Sequence, residues 1–254
     1  MSNKEYYDFD LDTAAIKAIG IGDAGGLPIQ NMRNRSNIGG VEFHNFIENN
    51  FRFILKDCHL LFLIADMSKN GKTADFFNVA ETAKKLGILT ISVITVSSNF
   101  DDTERLLKVS DSVIAIQNKP IKTTNDLQLE IIQCISSSVS EECTIGIDLL
   151  DLKSIFQNTG LYFFGIGFAS GENRVNKATQ SAIFSLLKNN SNIFQQAHGV
   201  LVNISGENLN LCDLDEPSNI IYTLIGENTI MRAVIIEKNL GLEIKVAIIV
   251  SQDA

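Results

Sequence analysis

Near-continuous runs of aliphatic and β-branched residues alternate along the chain with segments whose apolar positions recur every three or four residues. Ala15–Ile21, Leu60–Ala65, Ile88–Thr95 and Ser112–Ile116 have the pattern of strands covered on both faces. Between them, Pro28–Arg33 opens a helical pattern, and Ala74–Leu86 places Phe77, Ala80 and Ala83 on one helical face. Strands alternating with helices predict βαβ units and a mostly parallel sheet. Asp126–Val139 then predicts one long helix. Its apolar positions Leu127, Leu129, Ile131, Ile132 and Ile135 fall on more than one side, as in a helix buried between two bodies.

The second half has a different rhythm. Gly160–Ala169 is a strand rich in glycine, followed by an amphipathic helix in SGENRVNKATQSAIFSLLKN. His198–Ile204 predicts a strand and Asp215–Ile225 a helix preceded by acids. Thr229–Ile236 and Glu243–Val250 flank an Asn239-Leu-Gly241 turn, which predicts a closing hairpin. No low-complexity linker or repeat intervenes, so the long helix is the natural join. The expected organisation is a first α/β domain over 1–124, a connecting helix over 125–142 and a second α/β domain over 143–254.

Composition narrows the function classes. The chain has 254 residues, 45% of them hydrophobic, and a formal charge of −9. A broad nucleic-acid or anionic-membrane footprint is not expected of that charge. No run approaches the roughly 20 apolar residues of a membrane helix. The opening MSNKEYYDFDLD is polar and acidic, unlike a signal peptide, so a cytoplasmic protein is expected. Cys58, Cys134, Cys143 and Cys212 form no CxxC pair, and His44, His59 and His198 lack metal-ligand spacing. Structural roles are expected for all seven, and no metal site.

Three segments carry candidate chemistry. Gly20-Ile-Gly22-Asp23-Ala24-Gly25 satisfies GxGxxG between a strand and a helix, where bare backbone N–H groups can approach a phosphate. A ligand-free tight turn weighs about evenly against that reading. A dinucleotide site would also want an acid some 20 positions on, and Glu42 has that spacing. Asp66-Met-Ser-Lys69-Asn-Gly71-Lys72-Thr73 nearly spells a P-loop, with aspartate where the first glycine belongs. A solvated helix start is at least as good a reading. Asp148 and Asp151, three apart, would share one face of a helix start. They suit either a polarised water or cation, or simply the helix dipole.

Taken in order, these segments resemble the tubulin/FtsZ superfamily. IKAIGIGDAGGLPIQNM is similar to the first strand and phosphate loop of FtsZ, IKVIGVGGGGGNAV, and GVEF (40–43) recurs shortly after. FLIADMSKNGKTADFFNVAETAKKLGILTISVIT occupies the place of the GGGTGTG region. VSDSVIAIQN sets Asn118, and the helix NDLQLEIIQCISSSV sets Asp126, on guanine-contacting positions of the family. TIGIDLLDL resembles the synergy loop NxDxxD, with Asp148 and Asp151 on its acids. GLYFFGIGFASGENRVNKATQSAI resembles GxALMGIGxAxGxxRAxxAAxxAI, and GVLVNISG and LGLEIKVAIIVS follow in register.

The resemblance implies a Rossmann-like sheet domain and a C-terminal α/β domain joined by the central helix. It implies a GTP/GDP site at Gly22, Asp23, Ala24, Gly25, Gly71, Lys72, Thr73, Asn118 and Asp126, with Mg2+ only if nucleotide binds. It also implies Asp148 and Asp151 as catalytic acids acting across a head-to-tail contact with another FtsZ-like subunit, self or conventional, in cell division. The departures fall on the chemistry. GGGTGTG becomes Ser68–Ala74, Asp23 and Ala24 replace glycines, Leu27-Pro28 replaces Asn-Ala, and Gly146 replaces the synergy-loop asparagine. The stretch from Phe43 to Leu60 is short for the family, and Glu104 and Arg105 stand in for nucleotide-contacting residues after Asn99. The expectation is therefore a pseudo-GTPase that associates with or caps filaments. The alternatives are an active, divergent GTPase forming its own filaments and, remotely, a dinucleotide-binding enzyme using Gly20–Gly25.

Overall fold

A computed structural model describes residues 14–22, 29–30, 40–47, 50–67, 73–97, 103–117, 121–140, 143–157, 160–188 and 191–252. The first half runs β1 (Ile16–Ile21), β2 (Val41–Asn45), α1 (Phe51–Ile54), β3 (Leu60–Asp66), α2 (Thr73–Lys85), β4 (Leu89–Val96), α3 (Thr103–Val109) and β5 (Ser112–Gln117). The long helix is α4 (Ile121–Ser138). After it come β6 (Cys143–Ile145), α5 (Leu149–Phe156), β7 (Gly160–Ser170), α6 (Arg174–Leu187), β8 (Gly199–Gly206), α7 (Cys212–Tyr222), β9 (Ile230–Glu237) and β10 (Glu243–Gln252).

The described strands form one hydrogen-bonded sheet in the order β2-β1-β3-β4-β5-β7-β10-β8-β9-β6. From β2 to β7 every pairing is parallel. Strand β10 then runs antiparallel between β7 and β8, β9 is parallel to β8, and β6 closes the far edge antiparallel. The fold is thus α/β with a large, mostly parallel sheet. Strands β3 and β4 are buried almost throughout because helices lie on both faces.

The closing hairpin is not formed. Strands β9 and β10 both neighbour β8, with Ile204 paired to Val246 on one side and to Ile235 on the other. The reason lies in burial. All of β8 is buried, and an edge position would leave one of its backbone rows unpaired. The turn at Asn239–Gly241 therefore carries the chain over a strand instead of back beside itself.

Helices α1, α2 and α3 cover one face of the first half, where Phe76, Val79, Ala80 and Ala83 of α2 pack on β1, β3 and β4. Helix α6 covers the same role in the second half, burying Val175, Ala178, Ala182 and Leu186. The other face is covered by α4 and α5 across both halves, in a single cluster running from Ile16 through Ile132 and Ile155 to Ile249. Three polar contacts fix α4 across the sheet. Gln128 Nε2 donates to Thr95 Oγ1 of β4 at 3.3 Å, Asn203 Nδ2 of β8 donates to the Cys134 carbonyl at 3.2 Å, and Lys245 Nζ of β10 meets Glu130 Oε2 at 2.6 Å. The helix expected between two bodies is the element that spans them.

Helix α6 lies so close to β7 that only glycine fits beneath it. A Cβ on Gly165 would stand 2.6 Å from the Ala182 carbonyl oxygen, and one on Gly167 2.1 Å from that of Ala178.

Candidate functional site

The parallel strands β1, β3, β4 and β5 all end at one edge, and α2, α3 and α4 begin there. In open α/β sheets, ligands bind at the carboxyl ends of the strands, and helix N-termini there favour anions. Of the candidate nucleotide residues, Gly22, Thr73 and Asp126 are among the described residues and fall towards this edge. Gly22 follows β1 at φ +73°, a backbone that side-chain-bearing residues rarely adopt, although a Cβ there would meet no atom within 4 Å. Its value is conformational. Strand β3 ends at Asp66, after which the Met67 N–H donates to the Thr95 carbonyl at 2.7 Å. Thr73 is the first residue of α2, with Asp75 in its first turn, and Asp126 is half-buried in α4. Asp23, Ala24, Gly25, Lys69, Gly71, Lys72 and Asn118 lie outside the described residues, as does the side chain of Thr73.

Two proposed stand-ins have other surroundings. The Arg105 guanidinium sits 3.9 Å from the Phe77 ring centroid, so it ties α3 to α2. Glu104 is exposed in the first turn of α3. Glu42 is the second residue of β2, paired in register with Lys17 of β1 and 3.7 Å from its ammonium. The acid of a dinucleotide site belongs at the strand's carboxyl end. Glu42 stands three residues before it.

The two acids of the synergy-like loop do not join that edge. Asp148 is the N-cap of α5, and its Oδ1 accepts from the Asp151 N–H at 2.7 Å. The spacing of three residues is that of a capping contact. Asp151 Oδ1 in turn accepts from Arg232 Nε of β9 at 2.8 Å, with both side chains about a third exposed. Gly146 is crowded. A Cβ there would lie 3.1 Å from the Cys143 Cβ and 3.3 Å from the Ser138 carbonyl oxygen, which accounts for glycine where the family has asparagine. The Ile147 N–H donates to that same Ser138 carbonyl at 2.9 Å, pinning the loop to the C-terminal end of α4. The strand-end loops lie at the N-terminal end of α4. Its 18 residues rise about 27 Å, so one chain keeps the acids and the loops a helix length apart.

Sequence reasoning missed Arg232 and Lys245. The available signal was a single charge inside each apolar strand, IMRAVIIE and EIKVAIIV. Burial pushes the Cys58 thiol up to about 11 and Cys134 up to about 12, consistent with unreactive, structural thiols. Among the described residues no group of three or more His, Cys, Asp or Glu side chains could hold a metal ion, and no helix is long and apolar enough to cross a membrane.

The relatives bear on the same geometry. Residues 160–252, from the first residue of β7 to the last of β10, match the family model "FtsZ family, C-terminal domain". Cell division protein FtsZ of Buchnera aphidicola subsp. Baizongia pistaciae is 30% identical over 227 residues, covering 79% of this chain and 59% of that protein. FtsZ of Pseudomonas aeruginosa is 26% identical over 312 residues, covering 96% of this chain and 79% of that protein. This chain is FtsZ-like, of the tubulin/FtsZ superfamily. A solved FtsZ dimer of M. jannaschii has the same fold, with a TM-score of 0.80 at 18% identity, covering 95% of this chain and 89% of that one. The FtsZ-like chain thus spans little more than half the length of the Buchnera relative.

Proposed function

We propose that this FtsZ-like chain is a subunit of a cytoplasmic cell-division filament with little or no GTP turnover, which attaches to or caps the filament through its acidic loop. The observation that carries this reading is the separation of Asp148 and Asp151 from the strand-end loops by the length of α4. A site built from both needs two chains stacked head to tail, the mode the family resemblance implies. The two ends are unequally equipped. The loop end keeps an ordered helix cap and a held carboxylate. The other end carries Asp23 where a glycine would face phosphate, and the side chains of Ser68–Ala74 where bare backbone would touch it. A carboxylate beside a triphosphate is repelled unless a cation bridges the two.

Arg232 favours docking over hydrolysis. Its guanidinium neutralises Asp151, so that acid would have to leave a 2.8 Å pair before polarising a water on a neighbouring subunit. The GTPase alternative needs that exchange, and attachment alone does not.

Calorimetric titration of GTP with magnesium should show no binding tighter than about millimolar, or about −4 kcal/mol. Micromolar affinity would replace this reading with the active-GTPase one. The docking face is tested by co-sedimentation with polymers of a conventional FtsZ. Asp148→Asn/Asp151→Asn removes both charges while keeping a capping side chain. The wild type should shorten filaments and the variant should not. Equal effects, or long GTP-dependent polymers of this chain alone, would overturn capping.

A further inference from the structure

At the edge of the sheet opposite the strand-end loops, α1 and α2 both finish on exposed cations and apolar side chains. Arg52 and Phe53 lie in α1 with Lys56 just past its end, and Lys84 and Lys85 end α2 with Leu86 following. Phe53 is 76% exposed and Leu86 59%. Cations at helix C-termini complement the dipole and by themselves mean little. Two large exposed apolar groups among them, on a chain of net charge −9, are not accounted for that way. Asp57 is the exposed acid beside them.

The polypeptide enters the fold at this same end. The Ala15 N–H donates to His59 Nδ1 at 3.1 Å, and the His59 N–H donates to the Ala15 carbonyl at 2.9 Å, three residues after Lys56. The 13 residues before Ala14 carry Glu5, Asp8, Asp10 and Asp12 against the single Lys4, interleaved with Tyr6, Tyr7 and Phe9. Thirteen residues reach at most about 43 Å when extended, enough to cross both helix ends. We infer that this acidic, aromatic N-terminal segment docks in its own chain on the basic and apolar surface formed by the ends of α1 and α2. Aspartates meet Lys56 and Lys85, and aromatic rings cover Phe53 and Leu86. The short tether raises the effective concentration of the segment far above what free peptides would need.

The chain contains no tryptophan, so Tyr6→Trp places a single reporter in the full-length protein. At low salt its fluorescence should be shielded from acrylamide relative to a free 1–13 peptide carrying the same change. Near 0.5 M sodium chloride, where the Debye length is about 4 Å, that shielding should fade. Adding Lys56→Glu/Lys85→Glu should cut the docking equilibrium roughly tenfold, while Lys188→Glu on the far half should leave it unchanged. Circular dichroism checks that each variant folds. Quenching equal to the free peptide, or shielding indifferent to Lys56→Glu/Lys85→Glu, would overturn the inference. So would shielding that appears only as protein concentration rises, which places the segment on a second copy. Binding of anionic vesicles through Lys56 and Lys85 with an unshielded reporter would overturn it in favour of a lipid surface.

Discussion

Gly167→Ala should lower stability by about 3 kcal/mol, at the upper end of what a single added methyl costs in a packed interior. The new Cβ would arrive 2.1 Å from the Ala178 carbonyl oxygen and 2.7 Å from the Ala182 amide nitrogen, and both are backbone atoms of α6 that no side-chain rotation can withdraw. Relief requires α6 to lift from β7, and with it the buried face formed by Val175, Ala178, Ala182 and Leu186. For a domain of this size each kcal/mol lowers the melting temperature by roughly 2–4 °C, so a fall of roughly 6–12 °C is expected in a thermal scan. Gly171→Ala is the comparison. That glycine has φ +75° but nothing within 4 Å of its Cβ position, so only backbone strain, about 1 kcal/mol, is added. Equal effects at the two sites would show that α6 is not seated as described.

Glu130→Ala should cost about 3 kcal/mol, measured by urea unfolding, while Glu130→Leu/Lys245→Met should cost under about half of that. Lys245 has 8% of its side chain exposed and meets Glu130, itself 31% exposed, at 2.6 Å. Removing the carboxylate alone strands a cation against the sheet with no counter-charge. Removing both charges leaves an apolar contact between α4 and β10 of similar volume. If Glu130→Ala and the double substitution cost the same, the pair contributes packing and not charge. The pair lies in the same α4 interface as the Asn203 contact to the Cys134 carbonyl, so changes at Glu130 and Asn203 should not add simply.

What the sequence displays well is whatever depends on neighbouring residues. Strands β3 and β4 stand out because aliphatic residues dominate them, broken only by small hydroxyls in β4 and the final Asp66 of β3, and the cap at Asp148 follows from its spacing to Asp151. Strand β2 is harder to see. As a five-residue edge strand it sends only Val41 and Phe43 to the core, an alternation too short to stand out from a loop. The absent hairpin shows the limit on the other side. Asn239–Gly241 advertises a local turn, whereas the insertion of β8 between β9 and β10 depends on partners tens of residues away. The acidic loop divides in the same manner. Its cap is local, but Arg232, which occupies Asp151, is 81 residues distant and shows only as an odd charge in an apolar run.

The place of β10 bears on the order in which the molecule can be made. The last of the described strands is the link between β7 and β8, pairing with the first from Glu243 to Gln252 and with the second from Lys245 to Val250. Strands β1 to β5 can close their parallel ladders as they leave the ribosome, because each finds its partner already synthesised. Strands β8, β9 and β6 cannot join them until β10 has emerged. Until then β7 and β8 each present an open row of amides and carbonyls, the kind of edge that recruits foreign strands. Strand β10 is therefore the segment that seals the most exposed seam of the nascent protein.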